Sequence, residues 1–180
     1  WRDASCVKVA VLSSGGKDSS AAIWWTQCKG WDLTHLVTMI VDGDDSWMFQ
    51  IPGTSLVEKQ AVLCNCEWLP ITTQGIQEEE ITDLENRLKE LDIDGIVSGA
   101  IRSDYQKTRL ERMCERLGIK SFTPLWHQSS ESHMDGLISN GFKVMITGVS
   151  SEGLSDEWLG HVLTRDSLVK LKMLASKYRF

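Results

Sequence analysis

Apolar residues fall along this chain in two rhythms, and the rhythms alternate. Short, nearly continuous apolar runs occupy 7–12, 36–41, 68–72, 95–99 and 143–147. Such runs predict strands buried on both faces. Between them, apolar positions recur every three or four residues. Over 77–91, Ile81, Leu84, Leu88 and Leu91 share one helical face, and Glu78, Glu79 and Glu80 fill a first turn where the dipole favours negative charge. Over 105–117, Leu110, Met113, Cys114 and Leu117 form the inner face and Gly118 is a stop. Further helices are predicted from about Asp18 and over 55–64, 130–139 and 164–177. The alternation predicts an α/β fold, a mainly parallel five-stranded sheet with helices on both faces. No repeat or linker interrupts it, so 1–180 is expected to form a single domain.

Composition narrows the classes further. Of 180 residues, 42% are hydrophobic and 24% charged, values of a globular chain rather than a disordered one. A net charge of −6 argues against generic nucleic-acid binding. No apolar stretch could span a bilayer and no signal-peptide pattern opens the chain. Five scattered cysteines suit reduced thiols in the cytoplasm. Cys64 and Cys66 form C-x-C with no second pair at metal-ligand spacing, and read as structural.

The chemistry concentrates where the first strand ends, in Ser-Ser-Gly-Gly-Lys-Asp-Ser-Ser (13–20). Ligands of such sheets bind beyond the carboxyl ends of the strands. Gly15 and Gly16 let backbone approach a ligand, and the following helix aims its N–H groups at the same spot. Lys17 adds a mobile positive charge, and Ser14, Ser19 and Ser20 add hydroxyls. Together they suit a polyphosphate. The spacing matches neither G-x-x-x-x-G-K-[ST] nor G-x-G-x-x-G. The plainer alternative, a turn with Asp18 and Ser19 as helix caps, leaves the paired glycines and the lysine without a reason.

Ser14–Ser19 resembles the PP-loop of N-type ATP pyrophosphatases, whose fold is Rossmann-like (adenine nucleotide alpha hydrolase-like). Three more stretches sharpen the resemblance: GAIRSDYQKTRLERMCERLGIKSFTPLW (99–126), GLSDEWLGH (153–161) and SWMFQIP (46–52). In this order they resemble the diphthine–ammonia ligase family. That resemblance implies ATP-dependent adenylation of the diphthine carboxylate of translation elongation factor 2, release of pyrophosphate, and displacement of AMP by ammonia. It implies phosphate binding by Ser14, Gly15, Gly16, Lys17 and Ser19. Asp18 would orient Lys17 or help hold magnesium bridging the phosphates of ATP, and Lys17 and Asp18 are the catalytic expectation. The fold suggests adenine against the end of the second strand, at Met39 and Val41.

Asp104, Tyr105, Gln106 and Arg109 lie nearest a strand end and are expected to meet substrate. Trp158 and Trp47, in loops on the presumed rim, are expected to stack on substrate or partner or to pack between domains. Arg112 and Arg116, beside Glu111 and Glu115, read as solvated helix surface. His127, Glu131 and His133 fit no common metal spacing. The family continues into a G-E-x-G-E region that does not occur in this sequence, so its C-terminal region is expected to be absent. His161 also stands where the family has Arg. Two other readings stay open: another PP-loop enzyme, tRNA-modifying or amidotransferase-like, and a nucleotide-binding module without full activity.

Overall fold

The computed structural model describes residues 6–41, 56–74, 77–99 and 104–179. The chain divides into two compact units, 1–126 and 127–180. The sequence reading expected one, because residues 123–129 carry none of the Gly/Ser richness that marks a linker.

The first unit is built on five parallel strands: β1 (Lys8–Leu12), β2 (Asp32–Val41), β3 (Glu67–Thr73), β4 (Gly95–Ser98) and β5 (Lys120–Phe122). Their order is β3-β2-β1-β4-β5. The helices are α1 (Lys17–Cys28), α2 (Val57–Cys64), α3 (Gln77–Leu88) and α4 (Asp104–Leu117).

Strand alternation sorts the side chains into two cores. Val9 and Val11 of β1 join Ala22 and Ile23 of α1, Leu36 of β2 and Val57 and Ala61 of α2. Ala10 and Leu12 point the other way, with Val37 and Met39 of β2, Ile81, Leu84 and Leu88 of α3, and Leu110, Met113 and Cys114 of α4. The sheet is therefore covered on both faces, as its apolar runs predict.

Strand edges differ from the sequence reading in two places. β2 begins at Asp32 rather than 36, because polar Thr34 and His35 break the apolar run; Asp32, Leu33 and His35 still pair with β1, and the register slips at Thr34. The fifth strand is Lys120–Phe122, not 143–147. Its three residues are too few and too polar to show in a periodicity, but they pair in register with Gly95–Val97 of β4.

In the second unit, residues 143–147 contribute only an antiparallel bridge, Met145 to Val162. Two helices accompany it, α5 (Ser130–Ser139) and α6 (Arg165–Tyr178). They are tied by Lys172–Glu131 at 2.6 Å and Arg165–Asp135 at 3.7 Å. A capping box starts α6: Thr164 Oγ1 accepts from Ser167 N–H at 3.2 Å, and Ser167 Oγ accepts from Thr164 N–H at 2.7 Å. Among the described residues, no helix is long and apolar enough to cross a membrane.

Candidate functional site

Strand order fixes where a ligand can enter. The chain winds from β1 to β2 to β3 on one side and then returns to place β4 on the other side of β1. The crevice beyond the carboxyl ends of β1 and β4 is thus a topological switch point. The Ser-Gly-Gly-Lys loop leaves β1 into that crevice.

Within the loop, Gly15 adopts φ +79°, a left-handed conformation that favours glycine. Gly16 is the N-cap of α1 and supplies no side-chain acceptor. The first N–H of this segment to find an intrahelical acceptor is that of Ser20, bonded to the Gly16 carbonyl at 3.0 Å. The plain capping role for Asp18 and Ser19 does not hold, since both lie inside the first turn of α1. Asp18 instead accepts an ion pair from Lys17 Nζ at 2.7 Å. Ser19 is buried; its Oγ accepts from the Ser14 N–H at 3.3 Å and lies 3.4 Å from Ser14 Oγ. The result is a helix N-terminus uncapped by side chains, with a lysine ammonium beside it, an arrangement suited to an anion.

A residue that sequence reasoning treated only as the start of a motif closes the crevice. Gly99, just after β4, passes so near the first turn of α1 that a Cβ would meet the Asp18 backbone. A glycine directly after a buried strand was the available signal.

The adenine wall expected at Met39 and Val41 needs correction. Met39 is 4% exposed and packs in the core on the α3/α4 face. The loop leads into α1, on the opposite face, where Thr38 Oγ1 accepts from Trp68 Nε1 at 3.0 Å. By alternation the half-buried Ile40 shares that face and Met39 does not. Val41 ends β2. β2 and β3 continue past Val37, the partner of Leu12, so their last residues flank the loop.

At the other strand end, Asp104, Tyr105 and Gln106 open α4. Arg109, one turn on, stacks its guanidinium 5.1 Å from the Tyr105 ring centre and bonds the Tyr105 hydroxyl. Lys107 pairs with Glu111 and approaches the Trp126 ring at 5.7 Å. Arg116 is not simply solvated: its Nε bonds Glu85 of α3 at 3.0 Å.

Trp158 lies in the second unit, in a 3-10 turn (Asp156–Trp158), its ring edge-on to His161 at 5.4 Å. Gly153, at φ +87°, lies against the ring of Tyr178 from α6. The stretch 46–52, with Trp47, lies outside the described residues, as do residues 100–103 of the stretch 99–126.

The Cys66 and Cys114 thiols are not poised as nucleophiles. Burial, and then the neighbouring Cys64, push Cys66 up to about 11, and burial pushes Cys114 to about 11. Among the described residues, no group of three or more His, Cys, Asp or Glu could hold a metal ion.

Comparison with known proteins identifies the family and the fold. The chain is 29% identical to the diphthine–ammonia ligase of Schizosaccharomyces pombe over 92% of its own length, and spans 31% of that protein. It is 30% identical to the human diphthine–ammonia ligase, covering 87% of this chain and 67% of the relative. Among solved structures, the U34-tRNA thiolase NcsA from Methanococcus maripaludis shares the fold, with a TM-score of 0.50 and 14% identity over 95% of this chain and 66% of that one. The diphthamide synthase N-terminal domain matches residues 7–121, and the diphthamide synthase C-terminal domain matches 129–180. The two matches follow the same division as the two compact units. The chain belongs to the diphthamide synthase family.

Proposed function

We propose that this chain carries out the diphthine–ammonia ligase reaction named for its relatives, using the glycine loop as its ATP site. The observation that carries the reading is the uncapped N-terminus of α1, with Lys17 beside it, at the β1/β4 switch point. A carboxylate is a poor electrophile, because its charge repels a nucleophile and oxide is a bad leaving group. In the proposed first step a diphthine carboxylate oxygen attacks the α-phosphorus of ATP, the α–β phosphoanhydride bond breaks, and pyrophosphate leaves. In the second, ammonia attacks the acyl carbon, the bond to AMP breaks, and the nitrogen sheds its extra proton to give the amide. Both steps are governed mainly by positioning and charge stabilisation.

Lys17 would meet the charge that builds on the departing phosphates, aided by the Gly16 N–H and the first turn of α1. Asp18 holds the Lys17 ammonium in place until phosphate competes for it. Asp18 is also the one carboxylate of the loop, so magnesium would enter with the triphosphate, with phosphate oxygens and water as most of its ligands. Its chemistry there is charge neutralisation. Asp104, Tyr105, Gln106 and Arg109 form the substrate side of the rim. The partner is elongation factor 2 bearing diphthine, met in the cytoplasm.

Incubation of the chain with ATP, ammonium and the diphthine-bearing factor tests this. The expected outcome is AMP and pyrophosphate by chromatography, with an amidated histidine by mass spectrometry. ADP and phosphate, or modification of a tRNA with the factor untouched, would replace this reading with another.

A further inference from the structure

We propose that Ser13 is a positioning residue for nucleotide binding, its buried hydroxyl turning the Gly15 peptide inward and so holding the loop in its anion-receiving form. The inference rests on the reading of the loop as the ATP site.

Ser13 is the first residue after β1 and is 4% exposed. Its N–H donates to the Val37 carbonyl at 2.8 Å, which carries the β1–β2 pairing one residue past Leu12. Its Oγ accepts from the Gly15 N–H at 3.3 Å. A buried hydroxyl is costly to leave unpaired, and the partner this one takes is a backbone donor of the glycine loop. Gly15 stands at φ +79°, and with no Cβ to restrict it the residue has wide conformational choice. The Ser13 hydroxyl selects one orientation from that choice. At 3.3 Å the bond is long, so it acts as a selector more than as a source of stability.

Ser19 does the same for the preceding peptide, accepting from the Ser14 N–H. Two consecutive loop N–H groups are thus committed to hydroxyls inside the protein. Donors available to an anion begin at Gly16, not at Gly15 as the motif alone suggests. Turning Gly15 inward lets Gly16, Lys17 and the helix N-terminus converge on one point before any ligand arrives, which spares reorganisation on binding.

The test compares Ser13→Ala, Ser13→Cys and Ser13→Thr in the full chain. Cysteine fills similar space with a poor acceptor, and threonine keeps the hydroxyl. Without nucleotide, the Gly15 amide should exchange about tenfold faster by NMR in the alanine and cysteine variants, and near the wild-type rate with threonine. A non-hydrolysable ATP analogue should bind about three- to tenfold more weakly to the first two by calorimetry, with the melting temperature little changed. An unchanged Gly15 amide, or undiminished affinity in Ser13→Ala, in a chain that does bind the analogue, overturns the Ser13 role alone. A wild-type chain that binds no analogue overturns the ATP reading, and this role with it.

Discussion

Gly99 and the Asp18 carbonyl approach so closely that a Cβ at position 99 would lie 2.1 Å from that oxygen. The first follows β4 and the second sits in the opening turn of α1, so the pair forms the floor of the crevice. Gly99→Ala must displace backbone, because the obstructing atoms belong to no flexible side chain. The expected loss is about 1–3 kcal/mol of stability, as for other overpacked sites. Nucleotide affinity should fall with it, since the displaced turn carries the phosphate donors proposed above. Urea denaturation and calorimetry check both; an alanine variant matching wild type in each would show that the floor yields freely.

Lys17 should matter to the ligand and hardly to the fold. Its pairing with adjacent Asp18 is a partly exposed surface contact, worth roughly 0–1 kcal/mol. Lys17→Ala should therefore leave the melting temperature of the empty protein unchanged. A charge-assisted phosphate contact is worth about 1.5–3 kcal/mol, so ATP affinity should drop about tenfold to hundredfold. The reverse pattern, lost stability with intact affinity, would assign Lys17 to structure.

In the second unit, Gly153→Ala meets two obstacles at once. Its φ is +87°, and a Cβ would fall 2.2 Å from the Tyr178 ring. The strained backbone alone costs about 1–3 kcal/mol. Tyr178→Ala should remove the collision but not the strain, so a double-mutant cycle by chemical denaturation should show partial rescue. Purely additive effects would mean that the ring does not rest on this glycine.

The buried thiols set an alkaline limit on stability. Cys114 is raised from an ordinary 9.0 to about 11 by burial, so the folded state holds that proton more tightly than the unfolded chain. Its contribution is complete below about pH 9 and lost as pH climbs towards 11. Urea midpoints should fall across that window. Iodoacetamide at pH 8 should label exposed Cys6 and Cys28 well before Cys66 and Cys114, as peptide mass spectrometry can report. At the acid end, the Arg116 guanidinium holds Glu85 below the usual carboxylate range. That contribution disappears as pH falls through the depressed value, and salt should mute it because the pair lies at the surface.

What was legible in the sequence was whatever periodicity and local chemistry encode. β1, β4 and the inner faces of α3 and α4 were visible because burial on both sheet faces, or on one helical stripe, dictates residue type directly. The loop was visible because Gly15, Gly16 and Lys17 have few reasons to coincide. Met39 was misplaced because a continuous apolar strand hides which side chain faces which way; bonding of Thr38 to Trp68 reveals the phase. β5 escaped because pairing to β4, not hydrophobicity, makes Lys120–Phe122 a strand. Gly99 showed its constraint only once β4 and α1 were side by side.

The central position of β1 bears on how the molecule is assembled in time. Contacts between the start of the chain and the region of β2 span 24 residues, whereas Lys8 reaches Asp94, just before β4, across 86. Closing the longer loop costs about 1 kcal/mol more in chain entropy, so β1, β2 and β3 can associate while β4 is still unattached. The seam between β1 and β4 is then a late event of folding. A nascent chain released only as far as residue 90 would hold its first three strands together with the crevice at the glycine loop still unfinished, because Gly99 has yet to reach the first turn of α1.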